Sequence, residues 1–185
     1  MPAEMRAEFF MHQFVGALAE EMQVVVRDRG QKRVRVVNLG ELAETTADQI
    51  SLLAEDKQIS ISCQCHPGVM VRGDRARLKQ VLVNLLDNAI KYTPSGGAVK
   101  VNVASRDHKA VLEVQDNGIG IPGELKDKIF TLTPESSRPG TAGEESYGLG
   151  LSISQKIIEE HDGKIWFESA QGEGSVFYVE LPSSN

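Results

Sequence analysis

From Asp74 to Thr93 the chain contains neither glycine nor proline. Leu78, Val81, Leu82, Leu85, Leu86, Ala89 and Ile90 recur there at the three-and-four spacing of a helix that buries one face. Asp74 is placed to cap the first turn, and Thr93-Pro94-Ser95-Gly96-Gly97 stops the helix. A stripe of this kind is stable only against a second apolar layer, so the helix demands a layered fold. Its polar positions are patterned as well. Asn84 and Asn88 are four apart and Lys91 is three further on, which sets all three on one side, away from the leucines.

The flanking segments supply the second layer. Ile59, Ile61 and Cys63 alternate as a strand, and Val69-Met70-Val71 is a short second one. Val99, Val101 and Val103 alternate on one side of Arg106-Asp107-His108, and Leu112 and Val114 on the other, the pattern of an antiparallel hairpin. Asp162-Gly163 turns the chain into a last hairpin, Lys164–Ser169 and Ser175–Leu181. Asn38 with Glu41 reads as a capping box opening a helix to about Asp56, and further helices are expected over Glu124–Phe130 and Ser152–Glu160. The expected fold class is α/β (α+β): a two-layer sandwich of a mixed, mostly antiparallel sheet and helices, with an N-terminal helix.

That N-terminal helix is read from Met11, Phe14, Val15, Leu18, Met22 and Val25, with Gly30 ending it. Its stripe packs either within the domain or on another helix, including that of a second chain in a homodimer. Residues 131–147, rich in proline, glycine, serine and threonine, read as a long functional loop, a lid. The expected division is an N-terminal helix at 1–32 and one domain at 33–185.

The chain carries 26 acidic and 20 basic residues in 185, a net charge of −6. It lacks the basic excess of a nucleic-acid binder, so a phosphate ligand would have to be held by local groups. No apolar run approaches the roughly 18 residues of a membrane-spanning helix, and no leader pattern opens the chain, which suggests a cytoplasmic protein. Cys63 and Cys65 are the two cysteines, too few for a zinc site or a disulfide framework, and are expected as plain thiols.

Three segments carry chemistry. Two carboxamide oxygens beside an ammonium, as at Asn84, Asn88 and Lys91, can hold Mg²⁺ and a polyphosphate together, because magnesium accepts a few oxygen ligands and keeps water. Asp116 ends a strand before a glycine-rich turn, where a carboxylate accepts from an exocyclic amine such as N6 of adenine and penalises guanine. Gly118 and Gly120 let backbone approach closely there. Gly148-Leu149-Gly150 opens a helix whose free amides and dipole suit a phosphate.

In this order and spacing the three segments resemble the N box and the two glycine boxes of the catalytic, ATP-binding domain of sensor histidine kinases, in the superfamily of gyrase B and the heat-shock chaperone ATPases. The likeness runs from about Val37 to Pro182 and includes Ile157–Phe167 and Gly172–Phe177. It implies Mg²⁺ on Asn88, phosphates on Asn84 and Lys91, adenine beside Tyr92 with its amine on Asp116, and Gly118, Gly120, Gly148, Leu149 and Gly150 lining the nucleotide. The cofactors implied are ATP and Mg²⁺. The implied partners are a histidine-containing dimerisation domain and a response regulator, in a parent protein either free or anchored to a membrane.

Three features qualify the likeness. ATP-hydrolysing relatives place a glutamate, the general base for water, where this chain has Asn84, which favours transfer to a histidine over hydrolysis. Phe130 matches the first phenylalanine of the family's F box, but Thr131-Leu132-Thr133-Pro134 follows it, and Arg138–Glu144 resembles an alternative lid. None of His12, His66, His108 and His161 has the acidic neighbour and proline pattern of a phosphate-accepting histidine. Residues 1–32 would then be the remnant of a dimerisation hairpin. The other readings are a non-catalytic nucleotide-responsive module and a stand-alone ATPase.

Overall fold

The computed structural model describes residues 34–131, 140–143 and 149–184. The N-terminal helix expected within 1–32 and most of the loop at 131–147 lie outside the described residues. The elements are β1 (Arg35–Asn38), α1 (Leu39–Asp56), β2 (Ser60–Cys65), β3 (Met70–Gly73), α2 (Arg75–Tyr92), β4 (Ala98–Arg106), β5 (Lys109–Asp116), α3 (Gly150–Glu159), β6 (Lys164–Ala170) and β7 (Gly174–Pro182). Five strands form one sheet in the order β2-β4-β5-β7-β6, with β2 parallel to β4 and every other pair antiparallel. The sheet is therefore mixed and mostly antiparallel, and three helices make the second layer.

Strand alternation aims one face of the sheet at the helices. Val99, Val101 and Val103 are buried on β4 while Lys100 is exposed, and Leu112 and Val114 continue the apolar row on β5. Against that row lie Leu42 and Ile50 of α1, Leu82, Leu85 and Leu86 of α2, and Ile157 and Ile158 of α3, all in one continuous core. Burying each of these aliphatic side chains contributes about 1.5–3 kcal/mol, which outweighs weak local preferences along the chain.

The caps read from sequence are present. Asn38 accepts from the Glu41 amide, and Asp74 accepts from the amides of Ala76 and Arg77. The β4–β5 turn is tighter than expected: Arg106 pairs with Lys109, leaving Asp107 and His108 as a two-residue loop with φ of 48° and 61°, the left-handed geometry of a hairpin loop. One expectation fails, and one strand is added. The helix expected over Glu124–Phe130 is a single 3₁₀ turn at Gly123–Leu125 followed by turns, closed by bonds three residues long such as Lys128 N to Leu125 O. A segment this short cannot repay helix nucleation, and burial of Ile129 fixes its path instead. β1 was not foreseen. It takes β3 into a separate two-stranded antiparallel sheet, so β3 does not extend the main one.

Cys63 and Cys65 are free thiols, half-buried on the side of β2 that packs against the core. Burial, then the nearby Cys63 and Glu44 charges, pushes the Cys65 thiol up to about 11, so it stays protonated at neutral pH.

α2 and α3 run antiparallel and are bolted at both ends. At one end Asn84 Nδ2 donates to Gly150 O at 3.0 Å and to Ser154 Oγ at 3.1 Å. At the other, Arg77 pairs with Glu160, and the Asp74 amide donates to His161 Nε2 at 3.0 Å. His161 Nδ1 lies 2.7 Å from Ile157 O, so the proton sits on Nδ1 and both ring nitrogens are engaged. His161→Ala should leave the Asp74 amide unpaired and cost about 1–2 kcal/mol. Urea titration should show a lowered midpoint at unchanged slope; an unaltered midpoint would mean that the imidazole does not hold this junction.

Candidate functional site

Pro94 forces Thr93 into an extended conformation, φ −97° and ψ 127°, and α2 stops there. The carbonyls of its last turn then lack helical partners and must find others. Lys57 Nζ donates to Ile90 O and Lys91 O, both at 2.9 Å, placing a positive charge at the negative end of the helix. The Ile119 amide donates to Tyr92 O at 2.9 Å. Thr141 donates its amide to Lys91 O at 2.9 Å and its hydroxyl to Lys91 O and Thr93 O at 3.1 and 3.0 Å. Segments from three parts of the chain meet on one helical turn.

The Ile119 bond carries the glycine-rich turn to this point. Asp116 ends β5 and is only 6% exposed. Its Oδ1 accepts from the Gly118 amide at 2.9 Å and from the Ser175 amide at 3.3 Å, which fixes the carboxylate's orientation. Asn117 clamps the start of β4, its Oδ1 accepting from the Ala98 amide at 2.8 Å. A Cβ on Gly118 would stand 2.2 Å from Tyr92 O, and one on Gly120, at φ +65°, 2.0 Å from Ala170 O. Neither position admits a side chain unless backbone moves. These glycines bring the turn close to protein backbone.

The polar side of α2 stands beside this turn. Lys91 is paired with Asp87 at 2.7 Å, and its side chain is largely buried. Asn84 is spent on α3, as above. Asn88 is half-buried and its side chain makes no hydrogen bond with any described residue. Leu149 is exposed at the start of α3, Gly150 begins the helix, and Gly148 lies outside the described residues. The structure thus joins Asn84 to Gly150 and Tyr92 to the Gly118–Ile119 backbone. Three contributors had no signature in the sequence. Ser175 reaches Asp116 through strand pairing alone. Lys57 and Thr141 reach α2 from segments with no periodic pattern. Of the histidines, His66 and His108 are exposed in turns, His161 is locked as described, and His12 lies outside the described residues.

The residues fit an adenine nucleotide with a divalent ion. A buried carboxylate oriented by amides suits a neutral amine donor and repels an anion. The Thr93 hydroxyl, fully buried next to this turn, has no hydrogen-bond partner among the described residues. Among the described residues no three His, Cys, Asp or Glu side chains converge to hold a metal. An ion here would have to be shared between carboxamide oxygen, phosphate and water, the manner of magnesium.

Comparison with known proteins agrees with this geometry. The family model described as histidine kinase-, DNA gyrase B-, and HSP90-like ATPase matches residues 73–185. The adaptive-response sensory kinase SasA of Thermosynechococcus vestitus is 36% identical over 98% of this chain and 50% of its own length. SasA of Synechococcus elongatus is 44% identical over 59% of this chain and 28% of its own. The chain spans about half or less of the length of these curated relatives. The nucleotide-free catalytic domain of histidine kinase ThkA superposes with a TM-score of 0.70 at 37% identity, covering 81% of this chain and 95% of that one. ThkA in complex with the response regulator protein TrrA matches with a TM-score of 0.67 at 30% identity, over 95% of this chain and 51% of that one. With the sandwich, the buried aspartate and the polar face of α2 in place, this chain belongs to the histidine kinase-, DNA gyrase B- and HSP90-like ATPase family.

Proposed function

We propose that this chain is the catalytic domain of a two-component sensor histidine kinase, which binds Mg-ATP and passes its γ-phosphoryl group to a histidine on a dimerisation domain. The observation that carries this reading is the junction of the buried Asp116 turn with the last turn of α2. It sets the buried Asp116 carboxylate and the polar face of α2 on one rim. Asp116 accepts from the adenine amine, with Tyr92 beside the base. Asn88, with no protein partner among the described residues, serves the ion and Lys91 the phosphates. Gly118, Gly120, Gly148, Leu149 and Gly150 line the nucleotide.

Asn84 decides between transfer and hydrolysis. Its amide nitrogen is committed to Gly150 and Ser154, and a carboxamide cannot accept a proton from water. An imidazole acceptor needs no such base, so positioning and charge stabilisation suffice. ThkA's complex with TrrA supports a response regulator as the downstream partner. No helix among the described residues is long and apolar enough to cross a membrane, and we place this domain in the cytoplasm, its parent protein being free or membrane-anchored. Residues 1–32 are assigned to the tail of the dimerisation hairpin, which also offers a homodimer contact.

The base-selectivity claim is tested by calorimetry. ATP and ADP should bind more tightly than GTP. Asp116→Ala should weaken ATP by roughly ten- to a hundredfold, the effect of losing a charged hydrogen bond worth about 1.5–3 kcal/mol. Equal affinities for ATP and GTP would remove the adenine role from Asp116.

The transfer claim is tested with γ-labelled ATP. Alone, the chain should acquire little acid-labile label, because no described histidine is placed as an acceptor. Adding a cognate dimerisation domain with its histidine intact should allow transfer, and Asn88→Ala should abolish it. Tight nucleotide binding without transfer to any supplied domain would favour a nucleotide-responsive module, and steady ADP release without an acceptor would favour an ATPase. Strong self-labelling that disappears in His12→Gln would make the N-terminal segment the acceptor.

A further inference from the structure

The two edges of the main sheet are finished differently. At one edge, β6 carries Lys164 and Glu168, and Lys126 donates to Ser169 O from the segment after the glycine-rich turn. Charges and covering segments of this kind keep an edge from pairing with another chain. At the other edge, β2 reads Ser-Ile-Ser-Cys-Gln-Cys, with no charge, proline or glycine. The Ser60 amide donates to Gly97 O and the His66 amide to Val103 O, so the even positions face β4. The N–H and C=O groups of Ile61, Cys63 and Cys65 therefore point to the open side, where no described strand lies.

α1 borders this edge. A Cβ on Gly40 would stand 3.3 Å from Cys65 Cβ, and burial, then the Glu44 and Asp48 charges, pushes the Cys63 thiol up. The row Gly40, Glu44, Asp48 thus follows β2 in the opposite direction. Both carboxylates are exposed, and neither makes an ion pair among the described residues. A strand added to β2 would set every second side chain beside this row, and the others beside Ser60, Ser62 and Gln64 on the outer face. A second copy of β2 would bring four carboxylates together, which opposes self-pairing.

We infer that the open edge of β2, with Glu44 and Asp48 beside it, is a docking surface for an extended basic segment of another protein. That segment adds a strand and sets lysine or arginine at alternate positions against the two carboxylates. Main-chain bonds supply attachment, and the carboxylates supply choice. The inference does not depend on the nucleotide site.

The test titrates the whole chain with a short peptide alternating lysine and threonine, followed by amide NMR shifts and calorimetry. The amides of Ile61, Cys63 and Cys65 should shift. The peptide should bind roughly tenfold more tightly than its counterpart with glutamate for lysine. Glu44→Lys with Asp48→Lys should reverse that preference. Backbone pairing is read separately, with peptides N-methylated either at every lysine or at every threonine. In a paired strand only one of these sets of amides faces β2, so one peptide should lose binding and the other keep it. Equal binding of the lysine and glutamate peptides, equal effects of the two methylations, or shifts confined to other residues would overturn the inference. So would a peptide-free dimer held through β2, which would assign the edge to a second copy. If the double variant does not fold, the peptides on the wild type decide alone.

Discussion

Four consecutive carbonyls, from Ile90 to Thr93, have no partner in their own helix, and much of the site depends on how they are satisfied. Burying such groups unpaired costs more than a typical hydrogen bond returns. Each finds a donor from elsewhere: Lys57 after α1, Ile119 in the glycine-rich turn, and Thr141 before α3. The proline that ends the helix therefore does more than stop it. By exposing these acceptors at one place it gathers the Asp116 turn and the polar face of α2 into a common rim. Moving the helix end would move every one of these segments together.

The second helix pair is held by a different logic. α3 is short, and a helix of its length is marginal in water without tertiary support. Arg77 and His161 hold one end and Asn84 the other. In relatives that hydrolyse ATP, the position of Asn84 is expected to carry a glutamate that takes a proton from water. Here the same side chain spans two helices with its amide nitrogen, a bond that a deprotonated glutamate cannot donate. On the proposed reading, this one difference removes a base and adds a strut, and both suit a domain that passes the γ-phosphoryl group of ATP to another acceptor.

Much of this was legible in the sequence because it depends on local rules. The stripe from Leu78 to Ile90, the caps at Asn38 and Asp74, the hairpin at Asp107-His108 and the turn at Asp162-Gly163 into β6 follow from periodicity and turn chemistry. β1 was not legible: Arg35–Asn38 is short and half exposed, and it is a strand only because β3 lies beside it. The Glu124–Phe130 stretch has helical composition, yet burial of Ile129 and the Phe130–Phe167 contact govern its path. In the site, Asp116 and the asparagines stood out by residue type and spacing. Ser175, Lys57 and Thr141 did not, since their contributions come from register and backbone approach across long sequence separations.

The charge arrangement adds a last step. The chain has a net charge of −6, and Lys91, the cation assigned to the phosphates, is already paired with Asp87. At 2.7 Å a carboxylate offsets most of that ammonium's field on a ligand, while also fixing where the nitrogen sits. On the proposed reading, Lys91 therefore adds little net cationic attraction for a triphosphate and serves mainly to position it. On that reading, selectivity comes from the buried Asp116 carboxylate, and phosphate binding from the divalent ion and the amides that open α3. A triphosphate held through a shared ion loses much of that attachment once its terminal group has left. On the proposed reading, the scarcity of positive charge is what lets the spent nucleotide go, which a donor domain needs as much as it needs to bind.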